Sequence, residues 1–332
     1  MRYLVTTHAD RLPTDHQLIM VDGTVPDWTP RPQDLHWDHH RPQGADIQID
    51  EIPLPERDSL LEEQASGEPP CLVTTMVDAD ACCAAAWVQL PRQLLQPDVI
   101  ARLQAIAWDC DHLVVPEHLS PWAEFAAKVV VALKRSADST AIALDLPRDR
   151  QIWTEEQWEQ YSSTCFQRDT EWLLEAIRGN CPYPGEQGEA DHYWDNIETD
   201  ARSLLQEQRI QQIETARGPI AICQLKQLGR SVDPRSFYRA ISLALADRPF
   251  RPETLTIRDH RQGGTQYTLA CFPLHPQSRT LDYTTGTFDR LTQAERRKNP
   301  EAGTWGGRRS VGGSPWNTPS LLSPEEVIAL LD

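Results

Sequence analysis

The sequence predicts an α/β protein with an open, mostly parallel sheet and helices, then a helical connector and a smaller C-terminal α/β domain. Strands alternate with helices over residues 1–118, helical periodicity dominates up to residue 217, and strand patterns return after Gly218. A chain of 332 residues usually divides into more than one domain. We therefore predict a first lobe over 1–120, the connector over 121–217 and a last domain over 218–332.

The first lobe begins with apolar strands that end in polar residues. Residues 2–10 (RYLVTTHAD) and 17–23 (QLIMVDG) are predicted as strands, and the second stops at Asp22. Residues 71–77 (CLVTTMV) form a third predicted strand, which runs directly into an alanine-rich helix. The carboxyl ends of parallel strands are where functional groups gather in open α/β sheets.

A further acidic segment follows the short apolar run AIAW at residues 105–108, after a helix predicted near 97–106. We interpret this run as another strand that delivers Asp109 and Asp111 to the same edge. Residues two apart on a strand point to one face, so the pattern does not separate the two carboxylates. We prefer Asp111 because it lies nearer the carboxyl end.

The connector and the last domain have regular patterns of their own. Helical periodicity predicts three helices over 121–136, 154–178 and 190–216. In the last domain IAICQL, ETLTIRDH and TQYTLACF are predicted strands, and PRSFYRAISLALA is a predicted helix. A glycine-rich tail covers residues 303–319.

Charge is distributed unevenly along the chain. The net charge is -17, with -21 in residues 1–217 and +7 in residues 218–320. A strongly acidic protein repels a long nucleic-acid duplex, whereas an acidic lobe joined to a basic one suits cation binding beside a small anionic substrate. Chance unevenness among solvated surfaces is the alternative interpretation.

Cysteine usage and hydropathy indicate the compartment. The eight cysteines show no CxxC pair, so we expect reduced, core-filling thiols rather than a disulfide framework or a zinc ribbon. No apolar stretch approaches the ~20 residues that span a bilayer, and the first ten residues do not resemble a secretory signal. We expect a cytoplasmic protein without membrane contact. The sequence leaves the oligomeric state open, and a homodimer is compatible with it.

Candidate metal ligands accompany the predicted strand ends. Asp38, His39 and His40 lie in a proline-rich loop, and Asp78 and Asp80 begin the alanine-rich helix. Carboxylates with one or two imidazoles suit Mn²⁺ or Mg²⁺ better than zinc. Two carboxylates in one tight turn can reach two ions about 3.5–4 Å apart, as in two-metal phosphoryl hydrolysis. Asp78 could alternatively act only as a helix N-cap.

The combination of VDG at 21–23, WDHH at 37–40 and VDADA at 77–81 resembles the DHH phosphoesterase superfamily. That superfamily includes RecJ-type exonucleases, oligoribonuclease-type phosphodiesterases and manganese pyrophosphatases. The resemblance covers about the first 120 residues by motif. The last domain, with GGRRSVGGSPWN at 306–317, is more loosely similar to a DHHA1-type substrate domain.

The resemblance implies a hydrolase that cleaves a phosphodiester or phosphoanhydride with water activated by one or two Mn²⁺ or Mg²⁺ ions. The implied ligands are Asp22, His39, Asp78, Asp80 and Asp111, with Asp109 and His8 as further candidates. His40 would contact the scissile phosphate, and Asp38 would fix the orientation of the imidazoles. Arg308, Arg309, Gly312 and Gly313 would hold a phosphate group of the substrate. That substrate would be small, such as a dinucleotide or a short single-stranded RNA or DNA.

Two departures from the family pattern affect this prediction. Thr74, Thr75 and Met76 occupy the stretch where the family usually carries a histidine before the DxD motif, and His8 is the best substitute. DHH also precedes DxD here, whereas the family usually has the reverse order. Two alternatives therefore stay open: a catalytically lapsed nucleotide-binding or regulatory protein, and a structural protein whose carboxylates are solvated strand ends.

Overall fold

The computed structural model describes the chain in several stretches and divides it into two compact units. The described residues are 1–37, 70–113, 115–229, 232–245, 250–260, 263–273, 275, 277, 281–315 and 318–331. The two units are Met1–Asp191 and His192–Asp332. In the described residues the architecture is mixed α/β, with eight α-helices, a four-stranded parallel sheet and a six-stranded mixed sheet.

The first unit contains the parallel sheet. Its strands are β1 (Arg2–Val5), β2 (Leu18–Val21), β3 (Leu35–Trp37) and β4 (Cys71–Thr74). They are ordered β1-β4-β2-β3, and every pairing is parallel. The three strands predicted from apolar runs are confirmed, although each is shorter than the run that predicted it. Because all four strands point the same way, their carboxyl ends share one edge of the sheet.

The helix α1 (Ala79–Gln89) follows β4 and forms the centre of the first unit. Residues 79–88 are all buried, and alanines and cysteines make up most of them. Small side chains on every side let the sheet and the other helices approach α1 closely. The larger side chains packed into the same core include Trp87, Phe166 and Leu72.

Residues 105–108 are helical, so the strand predicted there is wrong. The helix α2 runs from Pro97 to His112 without interruption. Alanine and leucine are strong helix formers, and four apolar residues are too few to distinguish a period of 2 from a period of 3.6. Asp109 and Asp111 therefore point about 200° apart around α2 instead of sharing a face.

The predicted connector is divided between the two units. Its first two helices, α3 (Ala123–Ala143) and α4 (Glu155–Ile177), contribute buried side chains to the core of the first unit. The third, α5, spans Tyr193–Gln206 and belongs to the second unit. It ends ten residues before the predicted boundary, because the chain turns after Gln208 and continues as a strand.

The second unit is built on the six-stranded sheet. Its strands are β5 (Ile210–Ile213), β6 (Ile220–Gln224), β7 (Glu253–Asp259), β8 (Thr265–Cys271), β9 (Gly306–Gly307) and β10 (Val311–Gly313), in the order β5-β6-β7-β8-β10-β9. Its remaining helices are α6 (Pro234–Leu245), α7 (Thr287–Lys298) and α8 (Pro324–Ala329). The three strands and the helix predicted after Gly218 are confirmed, whereas β5 was not predicted.

Alternate residues of the second sheet face different helices. Ala221 and Cys223 pack with α5 and α6, while Ile220 and Ile222 pack with α7 and α8. Glu295 of α7 is fully buried on the second side and accepts three hydrogen bonds there. Helices therefore cover both faces of this sheet.

The glycine-rich tail contributes a short β-hairpin to the second sheet. Gly306 and Gly307 of β9 pair with Gly312 and Gly313 of β10. A Cβ atom on Gly312 would lie 2.3 Å from Cζ of Phe288 in α7 and 2.6 Å from the carbonyl oxygen of Gly306. Close packing between the hairpin and α7 therefore requires a glycine at position 312.

Replacing Gly312 by Ala is expected to lower the free energy of unfolding by about 1–3 kcal/mol, the usual cost of overpacking. The matched control is Gly306→Ala on the paired strand, where an added Cβ meets no atom within 4 Å. Urea denaturation of both variants measures the difference. Equal stabilities for the two variants would show that Gly312 has no packing role.

Among the described residues, no helix has both the length and the apolar character needed to cross a membrane.

Candidate metal site at the carboxyl edge of the parallel sheet

Three potential metal ligands converge in the first unit. They are Asp78, Cys110 and Asp111, and one ligand atom of each lies within 4.8 Å of the other two. Asp78 lies in the turn between β4 and α1, while Cys110 and Asp111 lie in the last turn of α2. All three side chains are half-buried. The group therefore joins two separate elements beside the carboxyl edge of the sheet.

Asp78 has a capping role as well as a place in this group. Its backbone is extended, and its Oδ1 accepts a hydrogen bond of 3.0 Å from the amide of Ala81. Capping engages one of the two carboxylate oxygens, Oδ1. Helix capping and metal binding by Asp78 are therefore compatible rather than alternative.

Cys110 lies among carboxylates. Burial raises the pKa of its thiol well above the usual value, and the negative charges of Asp78, Asp80 and Asp22 raise it further. In the other direction, the backbone amide of Asp80 donates a hydrogen bond to the sulfur and lowers the pKa. These influences place the thiol close to three of the predicted metal ligands.

Asp22 and Asp80 are both buried at the same edge. Asp22 directly follows β2 with a left-handed φ of 46°, and its carbonyl oxygen accepts a hydrogen bond of 3.1 Å from Thr74 Oγ1. Asp80 lies in the first turn of α1. The structure thus brings Asp22, Asp78, Asp80 and Asp111 to one region.

Other predicted ligands lie elsewhere or outside the described residues. Asp109 is buried on a different side of α2 and is not part of the converging group. The imidazole Nε2 of His8 pairs with Oε1 of Glu155 in α4, and His8 is not part of that group. Asp38, His39 and His40 lie outside the described residues, which end at Trp37 and resume at residue 70.

Thr74 occupies the stretch where a histidine was expected. Its side chain is fully buried, and Oγ1 lies 3.1 Å from the carbonyl oxygen of Asp22 and 3.0 Å from that of Met76. A hydroxyl engaged in this way holds two loops together. Thr74 therefore supports the position of Asp22 rather than replacing an imidazole.

Sequence reasoning missed Cys110, which we predicted to be a core-filling thiol. The available signal was its position between two aspartates in the segment Asp109–Asp111. The position of a cysteine beside an aspartate is informative only on a helix. There, consecutive side chains are separated by about 100° around the axis, so Cys110 and Asp111 can both face the same adjacent element. The mistaken strand at 105–108 concealed it.

The predicted phosphate-binding residues lie in the second unit, on the β9–β10 hairpin. Arg308 and Arg309 connect the two strands, and Arg309 Nε lies 3.4 Å from Asp282 Oδ2. About half of the Arg309 side chain is exposed. Gly312 and Gly313 are paired with β8, and packing accounts for Gly312. Phosphate binding by these four residues stays a prediction.

Comparison with known proteins adds no relative. The chain matches no protein-family model, and no curated protein sequence is significantly similar to it. The resemblance to the DHH superfamily therefore stays a prediction from motifs. The structural evidence about function is the convergence of the Asp78, Cys110 and Asp111 side chains.

Proposed function

We propose that the protein is a divalent-metal-dependent phosphoesterase that hydrolyses a phosphodiester or phosphoanhydride in a small anionic substrate. The observation that carries this proposal is the convergence of Asp78, Cys110 and Asp111 within 4.8 Å, next to the buried carboxylates Asp22 and Asp80. Ligand atoms from two elements at a strand-end edge are what a catalytic ion requires. The resemblance of the 22, 37–40 and 77–81 motifs to the DHH superfamily supports the same reaction class.

Each candidate ligand has a proposed role. Asp78 and Asp111 would hold one ion, and Asp22 and Asp80 supply the negative charge for a second ion or for accepting a proton from water. A divalent ion bound there would polarise the phosphoryl oxygens and acidify the attacking water. The roles predicted for the 38–40 triplet are retained. Asp38 would orient the imidazoles, His39 would bind metal and His40 would contact the scissile phosphate.

The substrate class follows from charge. The excess of +7 over residues 218–320 suits an anion, whereas the net charge of -17 opposes a long duplex. A dinucleotide or a short single-stranded RNA or DNA is therefore the proposed substrate. Arg308 and Arg309 are the proposed phosphate contacts, because one guanidinium group can donate two parallel hydrogen bonds to a phosphate group. A cytoplasmic location fits such a substrate.

A second candidate is a nucleotide-binding regulatory protein that has lost efficient catalysis. The observation in its favour is Thr74, whose buried hydroxyl lies within hydrogen-bond distance of two carbonyl oxygens where a ligand histidine was expected. Loss of one ligand weakens metal binding and can leave substrate binding intact. The two candidates differ only in turnover.

The test is hydrolysis by the purified full-length protein. The protein is incubated with Mn²⁺, Mg²⁺ or Zn²⁺ and with a short RNA, a cyclic dinucleotide or pyrophosphate, and released mononucleotide or phosphate is measured. We expect turnover that EDTA removes and that Asp80→Asn abolishes. Nucleotide binding without turnover under every metal would reject the hydrolase in favour of the regulatory protein.

A further inference from the structure

We propose that Cys110 is a direct metal ligand and that the site prefers a thiophilic divalent ion, Zn²⁺ in particular, over Mg²⁺. This inference rests on the metal site of the proposed function, but it does not require hydrolysis. It adds a sulfur ligand to the oxygen ligands that suggested Mn²⁺ or Mg²⁺. Cys110 also supplies a third ligand at a site where the expected histidine is absent and His8 is not part of the converging group.

The ligand set has the size of a catalytic zinc site. Such sites use three protein ligands and keep a fourth position open, and cysteine sulfur and carboxylate oxygen are both zinc ligands. With bonds of about 2.0–2.3 Å, tetrahedral ligand atoms lie roughly 3.3–3.7 Å apart. The atoms of Asp78, Cys110 and Asp111 already lie within 4.8 Å of one another. Ion binding would therefore have to draw the most widely separated of these atoms together by about 1 Å.

The location of the sulfur distinguishes Cys110 from other cysteines of the first unit. Cys110 and Asp111 are neighbours in the last turn of α2, whereas Asp78 caps α1. The sulfur therefore meets one carboxylate from its own helix and one from a separate element. By contrast, the thiols of Cys71 and Cys181 donate to the carbonyl oxygens of Leu72 and Trp172, at 3.8 and 3.9 Å.

The choice of ion follows from the chemistry of the donors. Mg²⁺ requires near-octahedral oxygen coordination and rarely accepts sulfur. Thiolate favours zinc and other soft or borderline ions, and carboxylate oxygen binds zinc as well. A site of two carboxylates and one thiolate thus discriminates between the two ions through Cys110 alone.

Cobalt is the spectroscopic probe for the first test, because a bond between Co²⁺ and a thiolate gives an intense near-ultraviolet charge-transfer band that oxygen ligands do not give. Full-length protein is titrated with Co²⁺ alongside the variants Cys110→Ser and Cys181→Ser. Cys181 is the matched control, since it is also half-buried in the first unit and lies outside the converging group.

We expect the band in the wild type and in Cys181→Ser, and its loss in Cys110→Ser. Removal of the sulfur should weaken Co²⁺ binding by about 100-fold or more, beyond the usual effect of losing an outer-shell partner. Zn²⁺ at one equivalent should displace Co²⁺, whereas excess Mg²⁺ should not. A band that persists in Cys110→Ser, the absence of any band in the wild type, or displacement by Mg²⁺ overturns the proposal.

A second measurement needs no variant and therefore does not depend on the folding of Cys110→Ser. Alkylation of wild-type protein is followed by peptide mass spectrometry, with and without Zn²⁺ or Mg²⁺. Zn²⁺ should protect Cys110 and leave Cys181 unprotected, and Mg²⁺ should protect neither. Equal alkylation of Cys110 in both ions overturns the proposal.

The two proposals fail separately. A cobalt–thiolate band without hydrolysis of any substrate rejects the phosphoesterase and supports the ligand role of Cys110. Hydrolysis by Cys110→Ser at the wild-type rate with Mg²⁺ supports the phosphoesterase and rejects that role.

Discussion

Replacement of Asp111 by Asn should reduce both divalent-metal affinity and any hydrolysis by about 100-fold or more, which exceeds the usual effect of losing an outer-shell contact. The carboxylate of Asp111 converges with Asp78 and Cys110 from the last turn of α2. An amide of the same shape keeps the packing but lacks the negative charge that a divalent ion requires. Calorimetric titration with Zn²⁺ and the phosphate-release assay measure the two effects.

The control for Asp111 lies on the same helix. Asp98 is exposed in the first turn of α2, at the end opposite the converging group. Asp98→Asn is expected to leave metal affinity unchanged, with a loss of helix stability of about 0.3–1 kcal/mol at most from the helix dipole. Equal metal affinity in the two variants would remove Asp111 from the site.

Replacement of Glu295 by Ala should destabilise the second unit by about 3 kcal/mol or more. Its carboxylate accepts hydrogen bonds from Trp305 Nε1 at 3.2 Å, Ser320 Oγ at 2.6 Å and the Leu321 amide at 2.7 Å. Each buried donor left without an acceptor costs about 1–3 kcal/mol. Thermal and urea unfolding of the full-length protein measure the loss.

The control for Glu295 is Gln293→Ala, at an exposed position of the same helix. Alanine has the higher helix propensity, so this variant should be as stable as the wild type or slightly more stable. A wild-type unfolding midpoint for Glu295→Ala would mean that the three donors find other partners.

The predictable part of the fold was encoded locally. The apolar runs before Asp22 and Asp78 predicted two strands of a mostly parallel sheet, and Asp78 followed by alanines predicted a capped helix start. The carboxylates at these positions were correctly expected at one edge of a sheet. Their approach to one another also depends on the strand order, which the sequence did not predict.

The missed part depended on tertiary packing. The run AIAW is equally apolar as a strand or a helix, and only its place within α2 decides which faces Asp109 and Asp111 occupy. The packing of Gly312 against Phe288 joins residues far apart in sequence, so the glycine-rich motif did not reveal it. The pairing of the His8 imidazole with Glu155 likewise joins distant parts of the chain. Contacts of this kind do not change the hydrophobic periodicity of the sequence, so a periodicity analysis does not detect them.

Two of the three converging ligands lie where a helix is least stable. The helix α2 ends at His112, and Leu113 adopts a left-handed conformation immediately afterwards. Terminal turns of a helix generally open at lower cost than its centre, so metal binding at Cys110 and Asp111 would be coupled to the order of this turn. An ion bridging that turn to Asp78 would suppress fraying, and by thermodynamic linkage its affinity is reduced by the free energy needed to order the turn. The order of this helix end and the occupancy of the site are therefore two aspects of one equilibrium.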